Sequence, residues 1–358
     1  MMEVPAVPAP AVVFTNGLLS QDFAKTCHGL LRGSARFRPV AVIDELHAGR
    51  DAGEVMDGRT RGVPVVPSLD AFVAAGGTCP EYFVVGVAFS GGRVPASCRP
   101  EILMALARGM TVVCGLHQLL SEDPELAAAA AAGGGVLMDI RRPRPTPDLR
   151  FWTGEARSIR ARVVGVLGTD CAVGKRTTAR FLWEAATRAG IRAEMIYTGQ
   201  TGWMQGYRHG FIFDSTLNDF VSGELERVIL ECNAAESPDL ILVEGQGSLR
   251  NPSGPCGSEI ILSGNARGII LQHAPGRSCF VDHEEVELRV PTPEEEIALI
   301  QMYGAEVLAV TLNGEGMTAG ELKDYHNSLA SRLPIPVVSP LEEGVDSLIP
   351  VLRNYLSH

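Results

Sequence analysis

One glycine-rich segment of the sequence has the residue types and the spacing that phosphate binding requires. The segment GTDCAVGK, residues 168–175, follows an apolar run at 163–167 and precedes a helical pattern from Thr177. A helix N-terminus presents unpaired N–H groups and a partial positive charge, and glycines let backbone approach a phosphate closely. The segment therefore predicts a P-loop in which Lys175 faces solvent and adds a point charge. We expect the phosphate-binding residues to be Gly168, Thr169, Asp170, Cys171, Val173, Gly174, Lys175, Arg176 and Thr177.

Two features of this loop depart from the common P-loop motif. Five residues separate Gly168 from Gly174 instead of four, a spacing that resembles the P-loop of dethiobiotin synthetase. Arg176 occupies the place where a serine or threonine ordinarily binds Mg²⁺. Because phosphoryl transfer uses a metal that bridges the β- and γ-phosphates, the arginine weakens the case for ordinary ATP hydrolysis. Thr177 could replace the missing hydroxyl only if the helix began one residue late.

Two titratable residues lie at the ends of predicted strands in the same half of the chain. Glu244 is near the end of the apolar run at 239–245, and His273 ends the run at 266–273. In parallel α/β sheets, ligands bind at the carboxyl ends of the strands. Either residue could act as a general base, and we favour His273 because the ordinary pKa of histidine is already near neutrality. The structural alternative is that Glu244 orients loop backbone and that His273 packs in the core.

The loops after these strands offer contacts for a polar substrate. The segments TGQTG at 198–202 and GQGS at 245–248 combine hydrogen-bonding side chains with glycines, although the second could be only a tight turn. A guanidinium at Arg277 suits a carboxylate. The glutamates at 294–296 are expected to form a solvated first helical turn, and no metal ligands are predicted. The predicted substrate contacts are Thr198, Gln200, Thr201, Gln246, Ser248 and Arg277.

Short β-branched runs alternate with helical patterns along the chain, which predicts parallel sheets covered by helices on both faces. The proline-rich segment RRPRPTP at 141–147 excludes helix and central strand, so we place the linker there. The fold class is α/β, with a Rossmann-like parallel-sheet N-terminal domain at 1–145 and a P-loop NTPase-like α/β C-terminal domain at 146–358. Strands are expected near 11–16, 39–44, 82–88, 111–116, 135–140, 160–170, 193–197, 239–245, 266–273, 306–313 and 336–340, and first-domain helices near 21–32, 68–75, 100–108 and 122–132.

The amino-acid composition of the chain restricts the kinds of molecule that it is expected to bind. The 358 residues carry a formal charge of −11, which argues against nucleic acid. Eight cysteines without a CxxC pair indicate reduced thiols. The first ten residues do not form a signal peptide, and no stretch reaches the roughly 20 apolar residues of a membrane span, so we expect a cytoplasmic location and no membrane partner.

Four motifs taken together resemble one known family. GTDCAVGK, IYTGQTGWMQG, LILVEGQGSL and LQHAPGR are similar to segments of the DgcN-type family, two-domain P-loop proteins long catalogued as of unknown function. The resemblance extends over about residues 11–352. It implies an N-acetyltransferase that uses acetyl-CoA and acts on D-amino acids, D-glutamate in the type member. It also implies a Rossmann-like first domain, a P-loop second domain and a homodimer.

Other function classes remain open on the residues alone. An ATP-dependent ligase or kinase that uses ATP with Mg²⁺ is compatible with the dethiobiotin synthetase-like loop. A nucleotide-binding protein without turnover is compatible with the missing hydroxyl. CoA fits the same loop because it carries a pyrophosphate and a 3′-phosphate, and the sequence does not identify the amine acceptor.

Overall fold

The computed structural model describes residues 7–357, which divide into two compact units. The first unit extends to Pro143 and also includes Gln200–Arg208, and the second comprises Arg144–Gly199 and the chain from His209. The expectation about the first ten residues falls partly on residues 1–6, which lie outside the described residues.

The first unit is built on one parallel sheet of six strands in the order β3-β2-β1-β4-β5-β6. Its strands are apolar and largely buried, as expected for a sheet with both faces covered. The five predicted strands are all present, whereas β3 has only two residues and was missed. The elements are β1 (Ala9–Phe14), α1 (Lys25–Leu31), β2 (Phe37–Ile43), α2 (Ala52–Asp57), β3 (Val65–Val66), α3 (Leu69–Ala74), β4 (Tyr82–Val85), α4 (Arg99–Ala107), β5 (Thr111–Cys114), α5 (Pro124–Gly133) and β6 (Val136–Asp139).

Local sequence signals explain where the helices of this unit begin and end. The Asp123 carboxylate accepts hydrogen bonds from the N–H groups of Glu125 and Leu126, which starts α5. Gly134 follows the helix with a φ of 72°, the left-handed geometry that glycine adopts without strain. The helix predicted near 122–132 is therefore confirmed, and it ends within a run of three glycines.

The second unit contains a parallel sheet of seven strands in the order β13-β12-β11-β7-β10-β8-β9. The strand β7 lies between β10 and β11, so the loop that follows it is at the centre of the sheet edge. The elements are β7 (Arg162–Gly168), α6 (Lys175–Arg188), β8 (Ala193–Tyr197), α7 (Gln200–Gln205, in the first unit), β9 (His209–Gly210), α8 (Asn218–Glu236), β10 (Leu240–Glu244), α9 (Ser258–Leu262), β11 (Gly268–His273), α10 (Pro293–Met302), β12 (Glu306–Leu312), α11 (Ala319–Arg332), β13 (Val337–Val338), α12 (Pro340–Glu343) and α13 (Ile349–Ser357).

The α/β fold class is confirmed for both units, and one local expectation is wrong. The segment TGQTG was expected to be a loop, but α7 begins at Gln200 and every residue of this helix is buried. Polar strand-end residues predicted a loop, whereas the packing of Trp203 and Met204 favours a helix in the first unit. Among residues 7–357, no helix combines the length and apolar character needed to cross a membrane.

Close backbone packing in the second unit predicts a strong effect at Gly223 in α8. A Cβ at this position would lie 1.9 Å from the carbonyl oxygen of Arg150, and backbone cannot move aside as a flexible side chain can. We expect Gly223→Ala to lower the free energy of unfolding by about 3 kcal/mol or more. Gly320→Ala in α11 is the control, because a Cβ there would have the Thr318 hydroxyl, 4.0 Å away, as its nearest neighbour. Urea unfolding should show no loss of stability for this control; equal stability of the two variants would contradict the packing argument.

Candidate functional site

The predicted P-loop connects β7 to α6 in the second unit. Gly174 is the N-cap of α6 with a φ of 108° and, as a glycine, offers no side chain to cap the N–H groups of this helix. A Cβ on Gly168 would lie 2.8 Å from a Val173 methyl group, so this position requires glycine. The loop thus presents an uncapped helix N-terminus at the edge of the sheet, which is the geometry that binds phosphate.

Asp170 is fully buried within this loop and accepts hydrogen bonds from several segments. One carboxylate oxygen accepts from the N–H of Cys171 at 2.6 Å and from the Asn251 amide at 2.9 Å. The other accepts from the Arg277 guanidinium at 3.2 Å and from the N–H of Val281 at 2.9 Å. Because the carboxylate has no exposed surface, these contacts favour a role in positioning loops over direct contact with a ligand.

The prediction that Lys175 faces solvent is wrong. Only 6% of the residue is exposed, and its ammonium donates to the carbonyl oxygens of Asp170 at 2.6 Å and Gly247 at 2.7 Å. The sequence motif identified a lysine in the phosphate loop. It could not show that two backbone carbonyl groups accept hydrogen bonds from the ammonium of this lysine. In this structure Lys175 joins the P-loop to the loop that follows β10.

Glu244 lies at the end of β10 among polar groups of neighbouring loops. Its carboxylate accepts from the N–H of Thr198 at 3.1 Å, and Gln246 donates to the Thr198 hydroxyl at 3.0 Å. Burial raises the pKa of Glu244, while the positive charges of Arg176 and Lys175 act in the opposite direction. Glu244, Thr198 and Gln246 are therefore brought together, with Arg176 in the first turn of α6.

His273 is buried at the end of β11 and has a partner on each ring nitrogen. Nδ1 is 2.9 Å from the Thr169 hydroxyl, and Nε2 is 3.1 Å from the hydroxyl of Tyr325 on α11. Burial lowers the pKa of His273 to about 4, so the ring is neutral at pH 7. The expectation of a pKa near neutrality is thus wrong, because the sequence does not show how completely the ring is desolvated.

A cavity of about 620 Å³ lies next to this histidine within the second unit. His273 and Tyr325 line it together with three arginines, Arg250, Arg277 and Arg289. Three guanidinium groups around one cavity favour an anionic ligand. The ligand would lie against a neutral imidazole that connects to the P-loop through Thr169.

Arg277 is already engaged by protein carboxylates. Its guanidinium donates to Asp170 and also to Glu315 at 2.7 Å and the carbonyl oxygen of Cys171 at 2.7 Å. These contacts fix the P-loop against the loop after β11. They leave Arg277 less suited to the carboxylate-binding role that the sequence predicted.

The remaining predicted residues are distributed over both units. Ser248 is buried and its hydroxyl accepts from the N–H of Asn251 at 3.1 Å. Thr177 is in the first turn of α6, which begins at Lys175. Gln200 and Thr201 belong to the first unit, where Gln200 accepts from Arg141 at 2.9 Å and Thr201 bonds to Thr26 at 3.0 Å.

Several residues near the site carried no recognisable signal in the sequence. Tyr325 lies in the middle of a helix, and Arg289 lies in an irregular segment far from any motif. Glu296 was expected in a solvated turn, but it is buried and accepts from Arg250 at 2.9 Å. Glu296 is four positions after the N-cap Thr292, and a polar residue at that position of a helix can face inward as well as outward.

The contacts of Asp170 predict that its charge is needed for folding. Asp170→Asn keeps the shape of the side chain but leaves Arg277 without one of its two carboxylate partners in a mostly buried setting. We expect the free energy of unfolding to fall by about 3 kcal/mol. Asp346→Asn is the matched control, because the Arg188–Asp346 pair is exposed and should contribute no more than about 0.5 kcal/mol. Chemical denaturation of both variants tests this, and equal effects would contradict the role given to Asp170.

Comparison with known proteins finds relatives that cover most of this chain. A curated relative from Tritonibacter scottomollicae, named D-glutamate N-acetyltransferase, is 30% identical over 292 residues, which cover 80% of this chain and 84% of the relative. A protein of the same name from a Pseudoalteromonas species is 29% identical over 272 residues, 75% of this chain and 80% of that protein. The crystal structure of a DUF1611 family protein from Anabaena variabilis superposes with a TM-score of 0.87 at 27% identity, covering 97% of this chain and 99% of that chain.

Two family models match successive parts of the sequence. Residues 45–143 match the Rossmann-like domain DUF1611_N, and residues 150–349 match the P-loop domain of DUF1611, both described as domains of unknown function. The P-loop match alone spans more than half of the sequence. This chain belongs to the DUF1611 family, the two-domain family that its motifs indicated.

Proposed function

We propose that this protein is an N-acetyltransferase that transfers the acetyl group of acetyl-CoA to the amine of D-glutamate or a similar D-amino acid. Two relatives that cover three quarters or more of the chain are named D-glutamate N-acetyltransferase. The observation that carries the proposal is the neutral, buried His273 at the wall of a cavity with three arginines. The reaction requires a binding site for an acidic amino acid and a group that accepts a proton. The arginines supply the first and His273 supplies the second.

The P-loop fits the phosphates of CoA. The N-terminus of α6 is uncapped, and Gly174 places its backbone in the left-handed conformation needed for such a loop. Arg176 stands in the first helical turn and supplies a positive charge where a metal-binding hydroxyl would otherwise lie. Gly174, Arg176 and Thr177 would hold the phosphates, and acetyl-CoA would supply the activated acetyl group.

The transfer forms a C–N bond to the acceptor and breaks the C–S bond of the thioester, so the nitrogen must lose a proton. With its pKa near 4, His273 is too weak a base to deprotonate a free ammonium group. It can take the proton that the nitrogen releases as the C–N bond forms, when that proton is far more acidic. Tyr325 lines the cavity and bonds to Nε2, so its hydroxyl provides the path from the nitrogen to the ring.

A competing function is an ATP-dependent ligase or kinase, and the observation in its favour is the P-loop itself, which opens a helix as in nucleotide-binding proteins. Arg176 counts against it because the residue lacks the hydroxyl that binds Mg²⁺. The two functions differ in their products. The transferase releases CoA thiol, whereas the ligase or kinase releases ADP.

The proton path predicts that His273 and Tyr325 act on turnover and not on cofactor binding. His273→Gln and Tyr325→Phe should lower kcat for acetyl transfer to D-glutamate, the first by about 10²- to 10⁴-fold. Affinity for acetyl-CoA, measured by calorimetry, should not change. Glu244→Gln tests the other candidate base, and Tyr303→Phe, at a tyrosine packed against the core, is the matched control. Near-parental turnover in both His273→Gln and Glu244→Gln, or MgATP-dependent release of ADP by the parent, would contradict the proposal.

The low pKa of His273 predicts the pH dependence of the reaction. Protonation removes the proton acceptor, and because the folded pKa is about 4, this loss should occur only below about pH 5. Above that range kcat/KM should rise with pH only as the substrate amine loses its proton. Steady-state kinetics from about pH 5 to about pH 9 check this. An inflection near the ordinary histidine pKa that disappears in His273→Gln would show that the ring is not held neutral.

A further inference from the structure

The three arginines of the cavity differ in how many protein groups already engage them. Arg277 is bound by Asp170 and Glu315. Arg250 uses its Nε to bond Glu296, and its two terminal nitrogens make no hydrogen bond to residues 7–357. Arg289 has no side-chain hydrogen bond or ion pair to any described residue. Two guanidinium groups at this cavity are therefore available to a ligand.

The backbone fixes the position of Arg289 at the cavity. Residues 278–280 pair with 288–290 in an antiparallel arrangement, with Cys279 opposite Arg289. The N–H of Phe280 donates to Leu288 at 2.9 Å, and the N–H of Val290 donates to Ser278 at 3.1 Å. The N–H of Val281 then bonds to the buried carboxylate of Asp170. An arginine that is free of protein partners thus extends from backbone that is bonded to the P-loop.

The surroundings strengthen an ion pair at this place. Phe280, Leu288 and Val290 line the same cavity, and apolar walls reduce the screening of a charge by water. The acidic residue of the wall is Glu295, whose carboxylate accepts from the N–H and hydroxyl of Thr292 in the capping box of α10. The available hydrogen-bond donors therefore outnumber the available acceptors, as a ligand with carboxylate groups requires.

We infer that Arg289 binds the side-chain carboxylate of the acceptor and that Arg250 binds its α-carboxylate, so that the cavity selects dicarboxylic amino acids. This inference rests on the proposed function, which supplies the amino acid. Arg250 is oriented through Nε by the buried Glu296, which suits the carboxylate that every amino acid has next to its reacting amine. Arg289 is exposed, lies opposite Cys279 in an irregular segment and makes no side-chain hydrogen bond to a described residue, which suits the group that varies between amino acids.

The test compares D-glutamate with D-glutamine, which has nearly the same shape but a neutral side chain. Arg289→Ala should raise KM and Kd for D-glutamate by about ten- to a hundredfold, the effect of one charge-assisted pair, and leave D-glutamine nearly unchanged. Arg250→Lys should weaken both substrates alike. We choose lysine there because alanine would leave Glu296 buried without its partner. Arg157→Ala, at an exposed arginine of the same unit outside the cavity wall, is the matched control.

Binding is measured by calorimetry as well as by turnover, so that the two proposals can fail separately. Selective loss of D-glutamate binding in Arg289→Ala supports the inference even if no acetyl transfer is observed, in which case only the proposed function fails. An equal effect on both substrates, or no effect on either, overturns the assignment of Arg289. Parental selectivity in Arg289→Ala together with a changed selectivity in Arg250→Lys would also overturn it.

Discussion

The buried carboxylate of Asp170 is the interaction on which the arrangement of the candidate site depends. A charge without solvent must be compensated by the protein, and here the compensation comes from three separate loops. Cys171 belongs to the P-loop, Asn251 to the segment after β10, and Arg277 and Val281 to the segment after β11. Since every donor must stay in place to keep the carboxylate satisfied, the loops cannot move independently. The positions of His273 and of the cavity arginines relative to the P-loop follow from this constraint.

Two cationic residues at the end of the P-loop balance the charge of the acid on the neighbouring strand. In a common P-loop a metal ion adds positive charge next to the acid at the end of the neighbouring strand. Here Arg176 and Lys175 act on the buried Glu244 in that way. The nearby hydroxyl of Thr178 is also engaged, because it and Thr311 donate to the same Gln272 oxygen in the sheet. The first turn of α6 thus offers cationic and backbone donors to an anion, as the proposed CoA ligand requires.

The sequence predicted the parallel sheets and the residues at strand ends because both depend on local pattern. A strand followed by a glycine-rich turn and a helix places Gly168 to Lys175 at the sheet edge whatever the rest of the chain does. Which ionic groups satisfy one another depends on contacts between distant segments. Lys175 was expected in solvent and Arg277 at the substrate, yet both bond to protein groups. Tyr325 and Arg289 could not be selected, since a tyrosine in a helix and an arginine in a loop are ordinary surface residues until the fold places them at the cavity that His273 lines.

The sheet of the first unit has the strand order of dinucleotide-binding Rossmann sheets, but this order does not by itself specify a ligand. In dinucleotide-binding Rossmann sheets, an acidic residue at the end of the second strand accepts hydrogen bonds from a ribose. Asp44 follows β2 in that position, but it is fully buried and accepts from the Thr15 hydroxyl at 2.6 Å, the N–H of Leu19 at 3.0 Å and the N–H of His47 at 3.2 Å. Its acceptor capacity is used to hold the loop after β1. The residue that would mark a dinucleotide site therefore stabilises the fold here, and the groups suited to a ligand lie around the second-unit cavity.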